Sequence, residues 1–424
     1  MLITPVRSFR GRFTLPGDKS ISHRLAILGA MAEGETRIFG FSTAADCAST
    51  LRCLAALAAD VRLRDGAVLV AGRGPAALAP PRGVLDAGNS GSTLRMLAGV
   101  LAGRPFRCVL DGDDSLRRRP MERVADPLRA MGAGVTTTEG RAPLTIEGGP
   151  LRGVAWDLPV PSAQVKTAVL LAGLQAEGET TVREPAPSRD HTERLLAAFG
   201  VVVAREGGAV SIRGGQRLRA ASMTVPGDVS SAAFLIVAAL IRPDSEVRIE
   251  NVLLNPGRTA FIEVLRRMGA VIETGIERQE PEPTGWIVAR SSALRGTEVP
   301  PQAVPALIDE LPALAVAGAH ASGTFTVSGA AELRNKESDR IATLCEGLAR
   351  MGADVEERAD GFIIEGGPRL KGTVVRSHGD HRIAMALSVA ALAAEGATDV
   401  ADAGCVAVSF PDFYAVLERG SDGG

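Results

Sequence analysis

Basic and acidic side chains of the kind that bind small anions and move protons stand at the starts of several apolar segments. Lys19, Ser20 and Arg24 open the first segment, and Asp309 and Arg382 stand at the starts of two later ones. If these segments are helices, their free N–H groups and partial positive charge favour anions. Arginine adds a planar fork that binds phosphate or carboxylate. Together the starts predict a site for a multiply charged, phosphorylated small molecule, while simple helix capping explains any one of them alone.

Two polar loops add further cations. One contains three consecutive arginines, of which Arg119 directly precedes a proline. The other places Lys336 and Arg340 four residues apart, with Glu337 between them. If that segment is helical, Lys336 and Arg340 share one face. A solvated, charged surface explains each loop taken by itself.

Asp309 lies in a largely apolar stretch. It is either a helix cap or a positioned base, and spacing leaves both open. His378, Asp380 and His381 are close enough in sequence to suggest a metal, but no further ligands follow at a matched spacing, so we expect no metal. The sequence has neither a G-x-G-x-x-G helix start after a strand nor a G-x-x-x-x-G-K-[ST] loop, so we expect no nucleotide cofactor.

Composition limits the classes of function. The chain has 424 residues, a formal net charge of −2 and 4% aromatic residues. This balance argues against general nucleic-acid binding and against a base-stacking surface. The five cysteines form no C-x-x-C pair, which is typical of reduced thiols, and the apolar runs are too short to cross a bilayer. With no apolar leader at the N-terminus, we expect a cytoplasmic protein that binds neither nucleic acid nor membrane.

Six Ala/Leu-rich segments recur along the chain and carry the polar residues at their starts. They begin, 66 to 80 residues apart, at Lys19, Ser90, Ala163, Val229, Asp309 and Asp380. A turn, a β-like run and an amphipathic helix follow each segment, and in five units two further strands come next. The repeating unit is therefore helix–strand–helix–strand–strand, and three units per globule is the natural grouping.

The sixth unit ends without closing strands, which segment 1–14 could supply. We therefore expect one domain made of residues 1–14 and 225–424 and a second made of residues 15–224, each with Ala-rich helices buried inside. The chain would cross twice between them. Two crossings predict a hinge, with the active site in the cleft between the domains and closure completing it.

The motifs at these positions resemble the 5-enolpyruvylshikimate-3-phosphate (EPSP) synthase family. They match in order from about residue 5 to residue 418 and include PGDKSISHR (16–24), GNSGSTLR (88–95), SAQVKTAVLLAGL (162–174), NKESDR (335–340) and GDHRIAMA (379–386). The resemblance implies a two-domain inside-out α/β barrel, in which each domain holds three βαβαββ units with helices inside and sheets outside. It implies transfer of the enolpyruvyl group of phosphoenolpyruvate to the 5-hydroxyl of shikimate 3-phosphate, without metal or organic cofactor. We expect a monomer.

The resemblance also implies a role for each matched residue. The implied catalytic residues are Lys19, a general acid/base, Asp309, which takes the proton of the attacking hydroxyl, and Glu337, which handles the proton at the methylene carbon. The implied shikimate 3-phosphate site consists of Lys19, Ser20, Arg24, Ser162, Ala163, Gln164, Ser188, Asp309 and Lys336. The implied phosphoenolpyruvate site consists of Lys19, Gly91, Arg119, Gln164, Arg340 and Arg382.

Two alternatives stay open. UDP-N-acetylglucosamine enolpyruvyl transferases share the implied fold and donor, but they usually carry a cysteine in the loop that here reads DGDDSLRRR (111–119). A non-catalytic binder of phosphorylated metabolites would need the cations but not the pair Asp309 and Glu337. Val408 stands where many members of the EPSP synthase family carry a lysine, so a proton-transfer role of that lysine does not carry over. Gly91 leaves room near the donor site, and we expect sensitivity to glyphosate.

Overall fold

A computed structural model gives the fold and describes residues 1–367 and 369–421. The chain divides into two compact units, which we call the middle unit (Gly17–Val225) and the split unit (Met1–Pro16 with Pro226–Gly424). The domains expected from the sequence were bounded after residues 14 and 224, within two residues of these divisions. The last residues of the expected domain, 422–424, lie outside the described residues.

The helices are distributed over both units. In the described part of the chain, α1–α14 are Lys19–Met31, Ala45–Ala56, Gly91–Ala102, Asp114–Arg117, Glu122–Ala130, Ala163–Gly173, His191–Ala198, Val229–Ile241, Ala260–Arg267, Val304–Leu307, Leu311–Ala319, Arg340–Arg350, His381–Ala391 and Phe413–Ser421. Short 3₁₀ turns are formed by Pro75–Ala77, Pro301–Ala303, Ala331–Asn335 and Ala403–Val408.

The strands are mostly short. In chain order the described strands β1–β25 are Leu2–Ile3, Arg10–Thr14, Glu33–Phe39, Asp60–Arg64, Ala67–Arg73, Leu85–Asp86, Arg107–Asp111, Gly134–Thr138, Arg141–Glu147, Leu151–Arg152, Ala155–Asp157, Ala176–Glu177, Glu179–Arg183, Val203–Glu206, Ala209–Arg213, Ser222–Thr224, Glu246–Leu253, Val271–Arg278, Thr284–Arg290, Glu298–Val299, Gly323–Val327, Asp354–Arg358, Gly361–Gly366, Val374–Arg376 and Thr398–Ala401.

The sheets repeat one pattern in both units. In the middle unit the orders are β16-β3-β5-β4, β6-β7-β9-β8 and β11-β13-β15-β14. In each sheet the first strand pairs in parallel and the other pairs are antiparallel. The split unit repeats this arrangement in β20-β21-β23-β22 and, read from its other end, in β18-β19-β17-β2. This is the repeating unit that the sequence predicts.

The N-terminal strands join two sheets of the split unit rather than one. β1 pairs with β25 of the sixth unit, as expected, but β2 pairs in parallel with β17 of the fourth unit. The expectation that segment 1–14 closes the sixth unit is therefore only half right. The physical reason is that β17 needs a parallel edge strand, like its counterparts in the other sheets, and β2 supplies that strand before the chain enters α1.

Apolar helices form the interior of each unit. In α8 every residue from Val229 to Leu240 is buried, and in α1 every residue from Ile21 to Met31 is buried. A helix that is apolar on all faces can only be satisfied inside a core. The helix start is then the one place where polar side chains reach solvent or a ligand. Side chains of Asp18, Ser90, Ser162, Asp228 and Asp380 cap these starts by accepting a backbone N–H.

Close approach of α3 and α6 requires a glycine. A Cβ at Gly99 would lie 2.1 Å from the carbonyl oxygen of Ala168 on α6. We expect Gly99→Ala to destabilise the protein by about 1 to 3 kcal/mol, because the backbones must separate, which outweighs the better helix propensity of alanine. Thermal unfolding measures this, with Gly149→Ala as the control, since a Cβ there meets nothing within 4 Å. Equal melting temperatures for the two variants would contradict the prediction.

Candidate active site

Lys19 is the first residue of α1, and a buried carboxylate holds it. Its Nζ lies 2.9 Å from Oδ2 of Asp46, and the two side chains are 16% and 7% exposed. Asp18 caps the same helix start by accepting the N–H of Ile21. Burial, together with the charges of Lys19 and Arg24, lowers the pKa of His23 well below its usual value, so this histidine stays neutral. The arrangement leaves Lys19 as a held cation at a helix N-terminus.

Arg24 connects three helices of the middle unit. Its Nε donates to Oγ1 of Thr192 on α7 at 2.7 Å, and its Nη2 donates to Oγ1 of Thr167 on α6 at 3.0 Å. Its Nη1 donates to the carbonyl oxygen of Ser20 at 2.8 Å, and Oγ of Ser20 accepts from Arg189 at 3.2 Å. Arg24 thereby fixes α1 against α6, the helix that Ser162 caps. Sequence reasoning missed Arg189, which had no spacing signal of its own.

Arg119 is held at the start of α3. Its Nη2 donates to Oδ1 of Asn89 at 2.8 Å and to Oγ of Ser115 at 3.3 Å. A Cβ placed on Gly91, the first residue of α3, would lie 3.4 Å from Arg119 Nη1 and 3.3 Å from Arg95 Nη1. The structure therefore brings Gly91 and Arg119 together, as the phosphoenolpyruvate site implied by the resemblance requires.

Gln164 and the cap residue Ser162 stand at the start of α6. Gln164 accepts from Arg95 Nη1 at 2.6 Å through Oε1 and donates to Oγ of Ser92 at 2.9 Å through Nε2. These contacts link the starts of α3 and α6. Ser188 lies in the segment between β13 and α7, and its Oγ is buried without a hydrogen-bond partner among the described residues. A buried hydroxyl of this kind is available to a ligand oxygen.

Asp309 lies in the turn between α10 and α11, not at a helix cap. Helix α11 begins at Leu311, two residues later than the sequence predicted, because the chain first closes α10. Oδ1 of Asp309 lies 3.5 Å from Arg340 Nη1, and Oδ2 lies 3.4 Å from Arg382 Nη2. Arg382 Nη1 also donates to the carbonyl oxygen of Asp309 at 2.7 Å. Of the two interpretations left open, the cap is therefore wrong, and the positioned base stays a prediction.

Asp380 holds the Arg340 side chain and the start of α13, whereas the sequence offered it as a segment start and as a possible metal ligand. Its Oδ2 accepts from Arg340 Nε at 2.8 Å and from Ser338 Oγ at 3.2 Å. Its Oδ1 accepts the backbone N–H of Arg382 at 2.9 Å, which caps α13. Burial lowers the pKa of Arg340, but the charges of Asp380, Glu337 and Asp309 outweigh it and raise that pKa above its ordinary value. Arg340 is therefore a permanent cation.

Lys336 does not share a helix face with Arg340, because the segment that joins them is not helical and the stated condition is not met. The chain is extended at Lys336, between the 3₁₀ turn Ala331–Asn335 and α12, which begins at Arg340. Burial lowers the pKa of Lys336, although the charges of Asp309 and Glu332 act in the opposite direction. Its Nζ makes no ion pair within the part of the chain that the structure describes. A bound anion would favour its protonated form.

Glu337 is close to the same cluster. Its Oε2 lies 2.6 Å from Arg340 Nη2, and its side chain is 14% exposed. In the split unit the structure thus brings the carboxylates of Asp309, Glu337 and Asp380 together around Arg340, and Arg382 also pairs with Asp309. In the middle unit it brings the starts of α1, α3 and α6 together. Such arrangements suit binding of a substrate with several negative charges and proton transfer beside it.

The described residues give little support to other site chemistries. Within residues 1–367 and 369–421, no group of three or more His, Cys, Asp or Glu side chains could hold a metal ion. Burial raises the pKa of Cys53 to about 12 and that of Cys345 to about 12, which disfavours reactive thiolates. The described helices include none that is long and apolar enough to span a bilayer.

Comparison with known proteins gives consistent matches over the whole chain. The family model of EPSP synthase (3-phosphoshikimate 1-carboxyvinyltransferase) matches residues 3–417. The 3-phosphoshikimate 1-carboxyvinyltransferase of Desulforudis audaxviator is 50% identical over 419 residues, covering 98% of each chain. A structure of EPSP synthase from Acinetobacter baumannii superposes with a TM-score of 0.88 at 44% identity, covering 99% of this chain and 97% of the other. The enolpyruvyl transferase NikO from Streptomyces tendae, at 20% identity and a TM-score of 0.80 over 99% and 96% of the two chains, shares the fold.

We expect Asp380→Asn to lower the free energy of unfolding by about 3 kcal/mol, because it removes a buried charge that pairs with Arg340. Chemical denaturation measures this. Asp339→Asn is the matched control: Asp339 caps α12 by accepting the N–H of Ala342, and its side chain is 38% exposed. Asparagine caps nearly as well as aspartate, so the control should lose under about 1 kcal/mol. Equal losses in the two variants would show that Asp380 is no more than a cap.

Proposed function

The chain belongs to the EPSP synthase family, and we propose that the two clusters described above carry out that family's reaction. The protein is a 3-phosphoshikimate 1-carboxyvinyltransferase. It transfers the carboxyvinyl group of phosphoenolpyruvate to the 5-hydroxyl of shikimate 3-phosphate and releases phosphate, in aromatic amino acid biosynthesis. The observation that carries this conclusion is the match at 50% identity over 98% of the chain to a relative of that name.

The donor site in this proposal consists of arginines held by buried acceptors. The guanidinium of Arg119 is fixed by Asn89, that of Arg340 by Asp380, and that of Arg382 by Asp309. Phosphoenolpyruvate and shikimate 3-phosphate together bring several negative charges into one site, and nearby cations offset their repulsion. Held guanidinium groups need no reorganisation when charge develops on the departing phosphate. Lys19 and Gln164 complete the proposed donor site, and Gly91 keeps it open.

The acceptor site in this proposal uses Ser162, Ser188 and Lys336 for the phosphate of shikimate 3-phosphate. Ser188 offers a buried hydroxyl without a partner among the described residues. Lys336 has a pKa lowered by burial, which a bound phosphate would raise again. Ser20, Arg24 and the backbone of Ala163 line the ring side, where Arg24 Nη2 donates to the carbonyl oxygen of Ala163 at 3.4 Å.

Three side chains move protons in the proposed mechanism. Asp309, ionised beside Arg340 and Arg382, takes the proton of the 5-hydroxyl as its oxygen bonds to C2 of phosphoenolpyruvate. Protonation of the methylene carbon by Lys19 or Glu337 completes the addition. In the elimination step a proton leaves the same carbon, the double bond re-forms and the C–O bond to phosphate breaks. Acid–base catalysis contributes about 10²–10⁴-fold, and alignment of the two substrates can supply about 7–11 kcal/mol, so positioning is the larger effect.

The two alternatives are disfavoured. The curated relatives that match over nearly the full chain are named for the shikimate reaction, not for transfer to a nucleotide sugar. The loop 111–119 contains no cysteine, and the nearest one before it, Cys108, is buried in β7. A non-catalytic binder would not need the carboxylate of Asp309 held between two arginines.

We also propose that the protein acts in the cytoplasm and as a monomer. The cysteines among the described residues are free, which suits a reducing compartment. Light scattering of the purified protein tests the oligomeric state, and a mass near twice the 44.0 kDa of the chain would contradict the monomer.

The reaction is tested by phosphate release with two acceptors in parallel. Phosphoenolpyruvate with shikimate 3-phosphate should release phosphate, and phosphoenolpyruvate with UDP-N-acetylglucosamine should not. Release with the nucleotide sugar alone would favour the first alternative, and release with neither would favour the binder.

The proposed proton-transfer roles are tested by Lys19→Met and Asp309→Ala. Each should lower kcat by about 10²–10⁴-fold while leaving a folded protein, because each removes a proton-transfer group. Lys371→Met and Asp157→Ala remove the same groups at exposed positions and serve as controls. Turnover in either site variant within a fewfold of its control would remove that residue from the mechanism.

Glyphosate should inhibit the enzyme, and Gly91→Ala should weaken that inhibition. The added methyl group would press on the ends of Arg95 and Arg119, which can shift by a few tenths of an ångström without unfolding the protein. We expect the glyphosate concentration for half-inhibition to rise about tenfold, which corresponds to about 1.4 kcal/mol, and the KM for phosphoenolpyruvate to rise less. Wild-type activity that persists in millimolar glyphosate would contradict the expectation of sensitivity.

A further inference from the structure

A buried ion cluster outside the proposed catalytic residues lies next to the segment that carries Ser188. Lys166 on α6 places its Nζ 2.7 Å from Oε2 of Glu184 and 2.8 Å from Oε1 of Glu193 on α7. The three side chains are between 2% and 5% exposed. Burying three charges costs free energy unless their geometry is good, so such a cluster calls for a specific role.

The cluster binds the 184–188 segment through one carboxylate. Oε2 of Glu184, the oxygen that pairs with Lys166, also accepts the backbone N–H of Ser188 at 3.5 Å. Pro185 and Pro187 lie between the two residues. Proline fixes φ, so a segment with two prolines transmits the position of one end to the other.

Apolar packing does little to hold this segment. Pro185 and Pro187 are exposed, and the segment borders a cavity of about 350 Å³ that Lys166, Glu184, Ser188 and Glu193 also line. A loop beside a cavity depends on its few polar contacts for its position. Thr167 and Thr192, which neighbour Lys166 and Glu193 in sequence, form a second link between the same two helices, and Arg24 donates to both.

We propose that Glu184, held by Lys166, is a positioning residue that sets Ser188 for the phosphate of the acceptor substrate. The inference rests on the proposed function, in which Ser188 binds that phosphate. Glu193 holds Lys166 from the other side and makes no contact with Ser188. Glu184 touches neither substrate, and its effect reaches the phosphate only through the placement of Ser188. Affinity for shikimate 3-phosphate should therefore depend on the reach of the Glu184 side chain.

The experiment compares three conservative variants by steady-state phosphate release with each substrate varied in turn. Glu184→Asp keeps the charge but shortens the side chain by one methylene. Its carboxylate therefore loses the hydrogen bond from the backbone N–H of Ser188. Glu184→Gln keeps the reach and one oxygen acceptor but loses the charge. Glu193→Asp is the matched control, because it makes the same shortening on the other side of Lys166.

We expect Glu184→Asp to raise the KM for shikimate 3-phosphate about fivefold to tenfold, within what one hydrogen bond to a charged group contributes. The KM for phosphoenolpyruvate and kcat should stay within about twofold. In Glu184→Gln the KM for shikimate 3-phosphate should stay close to the wild-type value. In Glu193→Asp this KM should stay within about twofold of wild type, even if the variant has a lower melting temperature.

Equal KM increases in Glu184→Asp and Glu193→Asp would reduce the cluster to general stability and overturn the inference, as would no increase in either. A parallel rise of the phosphoenolpyruvate KM would also overturn it. If the Asp variants do not fold, Glu184→Gln decides: a KM increase for shikimate 3-phosphate of fivefold or more would overturn the inference, because charge and not reach would then matter. Failure of the proposed function itself is separate, since the wild-type enzyme would then release no phosphate with shikimate 3-phosphate.

Discussion

Buried carboxylates that hold cations in place are the interaction on which the candidate site depends. An active site for two anions needs several positive groups close together, and these repel one another and lose hydration when buried. Buried carboxylates offset part of this cost: Asp46 pairs with Lys19, and Asp380 pairs with Arg340 and caps the start of α13. Each carboxylate accepts hydrogen bonds from some of the N–H groups of its cation, and the cation stays charged. In the proposed mechanism cations surround Asp309, whose carboxylate lies between Arg340 and Arg382.

The core helices explain why these groups stand at helix starts. Helices such as α1 and α8 are buried along almost their whole length, and their few polar side chains stand in the first turns. The first turn offers free N–H groups and a positive partial charge. Five core helices, α1, α3, α6, α8 and α13, are capped by Asp or Ser, and candidate site residues stand beside several of these caps.

The repeat also shows that the same position can serve structure alone. At the start of α8, Asp228 caps the helix, and Arg258 Nη2 donates to Ser230 Oγ at 2.8 Å and pairs with Asp228 at 3.3 Å. Ser230 also contacts Glu310, next to Asp309, and this entire group is buried. One repeated scaffold thus carries ligand-facing groups at some starts and a closed polar network at another. The chemical role of a start depends on what folds against it.

The sequence by itself determined the repeating unit and the apolar core helices, because periodicity and capping are encoded within a few neighbouring residues. The resemblance of its motifs indicated the family and the residues expected in the candidate site. The sequence left open whether Asp309 caps a helix and whether Lys336 lies on the helix of Arg340. It also gave no sign that Asp46, Asp380, Arg189 or the pair Lys166 and Glu184 hold site residues in place. Only the tertiary structure decided these points. An ion pair between residues tens to hundreds of positions apart leaves no local pattern, and its partners are chosen by which helix starts the core brings together.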